Sequence, residues 1–257
     1  MLYSGDENDT ALARRLAAET GRELSMLRDK IGFFDPDVLR REGDLRAHEL
    51  LMDSLAELRP GDAVLSEEGD GEQGRAGSAR LRAERVWIVD PLDGTREFAE
   101  AGRDDWAVHV ALWQGGDLTA GAVALPAQDK VLCTDAPPRI APWDGGRPRI
   151  AVSRSRPPEF MSVVAKAVDA DLIPMGSAGA KAAAVVTGRV DAYVHAGGQF
   201  EWDSAAPVAV ARAAGLHTSR IDGAPLVYNN PNPRLDDLVI CRQELAKPIL
   251  AALAEVM

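Results

Sequence analysis

The hydrophobic pattern near the start of the chain predicts two helices. Asn8 or Asp9 can cap the first helix, whose apolar positions approximate a single buried stripe: Leu12, Leu16, Leu24 and Leu27. Asp35-Pro36 interrupts this region. A second helix is predicted over residues 44–58, with these positions facing inward: Leu45, Leu51, Leu55 and Leu58.

Strand-like patterns follow the helices. Residues 63–65 form a short apolar run that ends at Ser66-Glu67-Glu68, and residues 87–89 form another. Residues 106–113 alternate, which places Val108, Val110 and Leu112 on one face, and the turn at 114–117 leads by a hairpin into 118–125. A further strand is predicted at 130–134. The first half should therefore contain helices packed on an antiparallel sheet.

The pattern changes after a segment rich in proline and glycine, residues 136–148, which is the predicted linker. Predicted strands at 150–153, 172–175, 191–195 and 239–241 alternate with predicted helices at 157–168, 179–187, 204–214 and 244–256. Such alternation indicates an α/β layer. We therefore expect an α+β domain over residues 1–140 and an α/β domain over residues 141–257.

The most informative stretch is WIVDPLDGTREF, residues 87–98. Its apolar run ends abruptly on Asp90, and Asp93 follows within the same turn. Gly94 permits a tight turn and a close approach of the backbone to a ligand. Thr95 is predicted to open a short helix whose first free N–H groups suit an anion. Two carboxylates beside such a helix start suit a divalent metal that holds a phosphate, although a strand end and a helix cap would explain the same residues structurally.

Composition limits the possible partners. The hydrophobic content of 46% and charged content of 27% are typical of a soluble globular protein. A net charge of −11 disfavours nucleic-acid binding, so an anionic substrate needs local help, which bound cations can supply. Cys133 and Cys241 lie in apolar strand-like runs and fit buried, reduced thiols rather than a zinc module. No signal peptide or membrane span is evident, so we expect a cytoplasmic protein without a membrane partner.

Four carboxylates stand out at strand ends and at a predicted helix start: Glu67, Asp90, Asp93 and Asp203. If the fold brings them together, Glu67 and Asp90 can hold one Mg²⁺ ion, while Asp90, Asp93 and Asp203 hold another. Shared ligation by Asp90 would set the ions about 3.5–4 Å apart, as in-line phosphoryl displacement requires. Residues 70–84 show no periodic pattern of apolar residues and are expected to form an exposed loop or lid near Glu67.

Three motifs resemble the inositol monophosphatase superfamily of lithium-sensitive, magnesium-dependent phosphatases. They are SEE at 66–68, WIVDPLDGT at 87–95 and WDSAA at 202–206, in the order and at the separations of that family. The resemblance implies an α/β protein, a layered αβαβα sandwich of the inositol monophosphatase and fructose-1,6-bisphosphatase type. The site would lie between an α+β N-terminal half and an α/β C-terminal half.

The resemblance also implies the roles of individual residues. The Mg²⁺ ligands would be Glu67, Asp90, the Leu92 carbonyl, Asp93 and Asp203. Thr95 and Glu67 would orient the attacking water and accept its proton. Asp93 would be a third catalytic residue. The substrate would contact Asp93, Gly94, Thr95 and Asp203, with phosphoryl oxygens held by the Gly94 and Thr95 N–H groups. Asp44 matches an acidic family position, but the preceding RREG at 40–43 departs from the family pattern, which leaves a third, weaker ion open.

Further motifs resemble the CysQ branch, the 3′-phosphoadenosine 5′-phosphate phosphatases. These motifs are DGTREF at 93–98, SRSR at 153–156 and GSAGAKAAAVVTGRVDAYV at 176–194. Arg154 and Lys181 are candidate partners for the second phosphate of such a substrate, with a solvated arginine and a surface lysine as the structural alternatives. The predicted reaction is hydrolysis of 3′-phosphoadenosine 5′-phosphate to AMP and phosphate, with the sulfated precursor PAPS as a further candidate substrate and a role in sulfur metabolism.

Several alternatives stay open at this point. Inositol 1-phosphate or fructose 1,6-bisphosphate could be the substrate, or the chain could be a nucleotide-binding regulatory module without turnover. A phosphatase class with a nucleophilic aspartate uses D-x-D-G-T, but Asp90 and Asp93 are three positions apart, so no covalent enzyme intermediate is expected. His109 and His195 are interpreted as structural, and Tyr193 as a core residue. The family resemblance implies a homodimer.

Overall fold

A computed structural model describes residues 7–69 and 79–256 of the chain. The expected lid, residues 70–84, therefore falls largely outside the described residues. Its final part is described and contains a short 3-10 helix, Ala79–Arg82, in which Arg80 is buried. In the part of the chain that is described, no helix has both the length and the apolar character needed to cross a membrane.

The N-terminal half begins with two long helices, α1 (Asp9–Ile31) and α2 (Pro36–Leu58). The Asn8 side chain caps α1 by accepting a hydrogen bond from the Ala11 N–H, as one of the two predicted alternatives. The predicted start of the second helix at residue 44 was wrong. Asp35 caps α2 and Pro36 occupies its first turn, where proline is favourable because its missing N–H would have no intrahelical acceptor.

The first sheet has the strand order β1-β2-β3-β4-β5. Its members are β1 (Ala63–Ser66), β2 (Arg85–Asp93), β3 (Ala107–Gln114), β4 (Asp117–Leu125) and β5 (Lys130–Cys133). The predicted hairpin between β3 and β4 is confirmed, and Gly115 and Gly116 both have positive φ in its turn. The sheet is mixed rather than wholly antiparallel, because β1 pairs with β2 in parallel.

The second sheet has the order β7-β6-β8-β10-β9. Its strands are β6 (Arg149–Ser153), β7 (Asp171–Met175), β8 (Ala192–Phe200), β9 (His217–Ser219) and β10 (Arg234–Cys241). The helices of this half are α4 (Met161–Ala167), α5 (Ala178–Val186), α6 (Glu201–Ala213) and α7 (Gln243–Ala254), while a single turn, α3 (Thr95–Phe98), follows β2. The β9 strand was not predicted, and α4 is shorter than the predicted helix at 157–168.

Five layers result from this packing. Helices α1 and α2 cover one face of the first sheet, α5 and α6 lie between the two sheets, and α4 and α7 cover the outer face of the second sheet. The αβαβα sandwich expected from the sequence is therefore confirmed. The domain boundary near residue 140 stays a prediction, since α5 and α6 of the second half pack against the first sheet.

Strand alternation decides which side chains meet the middle helices. In β3, Val108, Val110 and Leu112 join the cluster under α1 and α2, which confirms the predicted face. The residues between them, Ala107 and Ala111, join the cluster beneath α5 and α6. His109 points to that same middle layer because side chains at alternate strand positions share a face. The polar site lies on this side of the sheet.

Candidate active site

The site begins where β2 stops being a regular strand. Asp90 pairs in register with His109 of β3, but the ladder is irregular between Asp90 and Asp93. Val86 and Ile88 belong to the middle-layer cluster, so Asp90 continues the same face and points between the sheets. The strand therefore delivers one buried carboxylate directly under α5 and α6.

Gly94 makes the turn after Asp93 possible. Its φ of 87° lies in the left-handed region, and a Cβ at this position would lie 3.0 Å from the Ser177 Cβ and 3.3 Å from the Asp105 carbonyl oxygen. Any other residue would be strained and crowded there. Helix α3 begins immediately afterwards at Thr95, so the N–H groups of its first turn lack intrahelical acceptors.

Three carboxylates from two distant parts of the sequence converge at this turn. Asp90, Asp93 and Asp203 each offer an oxygen, and these oxygens all lie within 4.8 Å of one another. Asp203 comes from the first turn of α6, where its Oδ2 accepts a hydrogen bond of 2.7 Å from the Phe200 N–H. The grouping that the sequence could only suggest is thus present in the fold.

Glu67 adds a fourth carboxylate from the end of β1. Part of the residue is exposed to solvent, yet its carboxyl group lies within hydrogen-bonding contact of Asp90 and close to Asp203. Parallel pairing of β1 with β2 explains this position, because Ser66 is the register partner of Val89. The ends of the two strands therefore lie side by side.

Asp93 is held by the first turn of α5. Its Oδ2 accepts hydrogen bonds of 2.5 Å from the Ser177 hydroxyl and 2.6 Å from the Gly179 N–H, and its Oδ1 accepts one of 3.1 Å from the Ala178 N–H. Ser177 adopts a φ of 48°, which is uncommon for a residue with a side chain. A carboxylate has about four lone-pair sites, so Asp93 retains capacity for a further partner.

The carboxylates differ strongly in protonation. Burial, followed by the negative charges of its neighbours, raises the pKa of Asp90 well above its usual range. Burial and the nearby Asp93 likewise raise the pKa of Asp203 to about 7, and burial with the charge of Asp203 raises the pKa of Glu67 to about 7. Burial also acts to raise the pKa of Asp93, but contacts from His109 and Ser177 outweigh it and hold that pKa at about 2.

This donor set fits a hard divalent cation. Carboxylate and carbonyl oxygens are the ligands that Mg²⁺ prefers, and the described residues bring no arginine into contact with Asp90 or Asp203. Crowded carboxylates with raised pKa values signal negative charge that the protein itself leaves uncompensated. A bound cation would supply the missing compensation.

Thr95, Leu92 and Asp44 form a second contact group at the same turn. The Thr95 hydroxyl lies 3.1 Å from the Leu92 carbonyl oxygen and 3.2 Å from Asp44 Oδ1, and its one hydrogen can serve one of them at a time. Burial, followed by the charge of Glu68, raises the pKa of Asp44 to about 6. Asp44 is therefore connected to the site through Thr95, on the inner side of α2.

The two predicted partners of a second phosphate have different surroundings. Arg154 is half-buried and pairs with Glu97 Oε1 at 2.7 Å and with Glu100 Oε2 at 2.9 Å. Lys181 is buried in α5, and its Nζ donates to the carbonyl oxygens of Gly176 at 3.2 Å and Ser177 at 2.5 Å. Lys181 therefore braces the bend that holds Asp93 and is not a surface lysine. Arg154 follows directly after β6, where it is partly exposed and ion-paired.

Two residues of the site were not singled out for function in the sequence. Ser177 holds Asp93, and His109, interpreted as structural, lies 3.3 Å from Asp93 through its Nε2. A histidine at an inward position of an alternating strand was the available signal for His109. Ser177 lies in the motif at 176–194 that resembles the CysQ branch, but its contact with Asp93 was not predicted. His195 lies on β8, and Tyr193 is buried as predicted.

Comparison with known proteins identifies relatives that align with most or nearly all of the chain. A Mycobacterium leprae protein named 3′-phosphoadenosine 5′-phosphate phosphatase is 48% identical over 266 aligned positions, covering 99% of this chain and 96% of the relative. The Escherichia coli protein named 3′(2′),5′-bisphosphate nucleotidase CysQ is 33% identical and covers 72% of this chain and 77% of its own length. Both relatives are named as phosphatases or nucleotidases, which confirms the predicted class of enzyme.

Comparison of structures and of family models agrees. Inositol monophosphatase II from Staphylococcus aureus superposes with a TM-score of 0.78 at 21% identity, covering 95% of this chain and 92% of the other, which supports the fold. The model of the inositol monophosphatase family matches residues 36–136 and 148–257, a span that includes all four converging carboxylates. On this evidence the chain belongs to the inositol monophosphatase family.

Proposed function

We propose that this protein hydrolyses 3′-phosphoadenosine 5′-phosphate to AMP and inorganic phosphate in a Mg²⁺-dependent reaction. The observation that carries the chemistry is the convergence of Asp90, Asp93 and Asp203, whose oxygens lie within 4.8 Å of one another. Such a cluster suits cations that in turn bind a phosphate ester. PAPS is a second candidate substrate, since it shares the 3′-phosphate.

The nucleotide assignment is supported by the names of the relatives. The Mycobacterium leprae and Escherichia coli proteins are named for activity on 3′-phosphoadenosine 5′-phosphate and on bisphosphate nucleotides. The first aligns over nearly all of this chain, so the alignment includes both halves of the site. We therefore favour a nucleotide over inositol 1-phosphate or fructose 1,6-bisphosphate.

Two cations are proposed, with ligands taken from both strand ends. Glu67, Asp90 and the Leu92 carbonyl would hold one Mg²⁺ ion, and Asp90, Asp93 and Asp203 would hold the other. Asp44 is the candidate for a third. Divalent cations bound there supply Lewis acidity, which offsets charge on a phosphoryl group and makes water a stronger nucleophile.

The protein groups around this centre have separate proposed tasks. The Thr95 hydroxyl, already placed between Asp44 and the Leu92 carbonyl, orients the attacking water. Glu67 accepts the proton of that water. The Gly94 and Thr95 N–H groups, at the start of α3, hold phosphoryl oxygens.

Substrate contacts are proposed on the side of the second sheet. Arg154 is the better placed of the two cations for the second phosphate, because its guanidinium is partly exposed, although the phosphate must compete with Glu97 and Glu100. Lys181 would support the substrate side of the site by holding the carbonyl groups of the Gly176-Ser177 bend. Asp93 and Asp203 would complete the substrate surface.

The decisive experiment compares kcat/KM for 3′-phosphoadenosine 5′-phosphate, inositol 1-phosphate and fructose 1,6-bisphosphate with Mg²⁺ present. We expect the nucleotide to be preferred, and preference for inositol phosphate would contradict the substrate while leaving the metal chemistry intact. Asp93→Asn should abolish phosphate release, whereas Asp53→Asn, an exposed aspartate on α2, should not change it. Phosphate release at the background rate in both wild type and Asp93→Asn would favour the non-enzymatic binding module.

Three further outcomes test the remaining expectations. Trapping a phosphoenzyme would favour the class with a nucleophilic aspartate. An unchanged rate at millimolar lithium would contradict the lithium sensitivity implied by the family. Light scattering after size exclusion tests the proposed homodimer, with a monomer mass as the contrary result.

A further inference from the structure

The geometry points to His109 as a positioning residue of the metal site, one that fixes the separation between Asp93 and the helix turn carrying Asp203. This inference rests on the proposed function, because it concerns the same carboxylates. It goes further by assigning a role to a side chain that is neither a proposed ligand nor a proposed substrate contact.

His109 is placed by the register of the first sheet. It lies directly opposite Asp90 across the β2–β3 ladder and is completely buried. Side chains of directly opposed residues share a face, so the imidazole projects beside the Asp90 carboxylate into the middle layer. Its Nδ1 lies 3.9 Å from Asp90 Oδ2.

The two ring nitrogens reach two different parts of the site. Nδ1 lies 3.0 Å from the carbonyl oxygen of Trp202, the residue that precedes Asp203. A carbonyl oxygen can only accept, so the hydrogen of this contact belongs to Nδ1. Nε2 lies 3.3 Å from Asp93 Oδ2, a contact that falls short of full hydrogen-bond geometry and in which Nε2 can donate only in the imidazolium form of the ring. One ring thus connects the β2 turn with the start of α6.

The ring has little room to move away from these contacts. Gly179, in the first turn of α5, packs so closely that a Cβ there would lie 2.0 Å from His109 Nε2. The same glycine donates its N–H to Asp93 Oδ2 at 2.6 Å. The absence of a side chain at residue 179 therefore lets α5 hold Asp93 and the imidazole at the same time.

Such contacts bear directly on a cation site. Asp93 and Asp203 come from different halves of the chain and repel each other when ionised, so their separation needs support beyond their own backbones. Groups that orient metal ligands from behind change metal affinity by about 10–100-fold when removed. His109 is placed to provide this support, because it contacts Asp93 directly and Asp203 through the backbone of Trp202.

The competing interpretation is a buried histidine that only fills the core. The two views differ in what the replacement changes. Loss of packing alone would lower stability, whereas loss of positioning would weaken metal binding in a protein that still folds. Asparagine can mimic the Nδ1 position of histidine and glutamine the Nε2 position, so these replacements separate the two contacts.

The experiment measures Mn²⁺ binding by electron paramagnetic resonance, in which the signal of free Mn²⁺ falls as the ion binds, so no turnover is required. The proteins compared are wild type, His109→Leu, His109→Asn and His109→Gln. We expect His109→Leu to bind Mn²⁺ at least about tenfold more weakly, with a matching rise in the Mg²⁺ concentration for half-maximal activity. The KM for the nucleotide at saturating Mg²⁺ should stay unchanged. The asparagine or the glutamine variant should recover part of the affinity. His217→Asn, on β9 of the second sheet, is the matched control.

Unchanged Mn²⁺ affinity in His109→Leu would overturn the inference and leave the proposed function intact. Failure of wild type to bind Mn²⁺ would instead overturn the proposed metal chemistry and this inference with it. Thermal unfolding in EDTA checks that each variant folds. If His109→Leu does not fold, His109→Ala takes its place, and equal affinities across the alanine, asparagine and glutamine variants would count against positioning.

Discussion

Each sheet of the protein buries an aspartate near a strand end, and the two are treated in opposite ways. Asp191, before β8 in the second sheet, accepts hydrogen bonds of 3.0 Å from the side chains of Arg149 and Arg242. Asp90, at the end of β2 in the first sheet, faces Glu67 and two further aspartates. Both residues are almost completely buried.

The difference appears in their protonation. Burial acts to raise the pKa of Asp191, but the hydrogen bonds and charges of the two arginines outweigh it, and that pKa lies below its usual range. At Asp90, burial and charge act in the same direction and raise the pKa. A buried carboxylate matched by arginines stabilises the fold, whereas an unmatched group of carboxylates costs stability and indicates a site that awaits a cation.

The largest expected effect comes from replacing Asp90 in the cluster of unmatched carboxylates. Asp90→Asn should lower kcat/KM for 3′-phosphoadenosine 5′-phosphate by about 10³-fold, equivalent to about 4 kcal/mol of lost transition-state stabilisation. The metal-free variant should be no less stable than wild type, because the amide keeps the neutral form that burial and the neighbouring carboxylates already favour at residue 90. Steady-state kinetics and thermal unfolding in EDTA test both statements, and activity within a few-fold of wild type would contradict the proposed ligand role.

The next largest effect comes from replacing Asp191, which is paired with Arg149 and Arg242. Asp191→Ala should lower the free energy of unfolding by about 3 kcal/mol, because Arg242 is left buried without its carboxylate. Asp171→Ala is the control, since that aspartate pairs with Arg147 on the surface and should contribute less than about 1 kcal/mol. Urea unfolding measures both variants. A loss of kcat in folded Asp191→Ala would show that the two clusters are not independent.

Mg²⁺ binding should stabilise the protein through the carboxylate cluster at Asp90 and not through the ion-paired group at Asp191. At a Mg²⁺ concentration near 100 times its dissociation constant, wild type should gain about 2.7 kcal/mol of stability. Asp191→Ala should keep this gain, and Asp90→Asn should lose most of it. Thermal unfolding with and without Mg²⁺ provides the measurement, and an equal gain in both variants would place the cation elsewhere.

The smallest expected effect is the pH dependence of stability with metal chelated. The pKa of Asp203 is raised to about 7, so the folded protein binds a proton there more tightly than the unfolded chain does. Its contribution to stability is therefore present at pH 4 and is lost as the pH rises through about 7. Asp191, whose pKa is lowered, acts in the opposite sense, and its contribution is lost only in acid. Asp203→Asn should flatten the loss between about pH 4 and 7, and an unchanged profile would contradict this assignment.

Much of the architecture was predictable because local patterns decide it. The alternation in β3, the glycine pair of the β3–β4 turn and the run before Asp90 all specify their structure within a few residues. Even the missed start of α2 had a local signal, since aspartate before proline is a favourable helix start. Leu45, predicted to face inward, is 51% exposed, because the longer helix presents other positions to the core.

The site was predictable only as a set of residue types. The four carboxylates carried recognisable motifs, but their convergence depends on α6 packing against the first sheet. The contact of Ser177 with Asp93 could not be predicted, because it joins residues 84 positions apart in the sequence. His109 faces inward by simple alternation, yet only the packing of α5 and α6 over that face makes it part of the site.

The first turn of α5 is capped by a residue from the other half of the chain, which affects how the protein folds. The free N–H groups of that helix, at Ala178 and Gly179, are satisfied by Asp93, which belongs to the other half of the chain. Neither half can complete this arrangement alone, so a fragment cut within 136–148 would leave a helix end and a carboxylate both exposed. Catalytic competence should therefore require that the two halves of the chain dock.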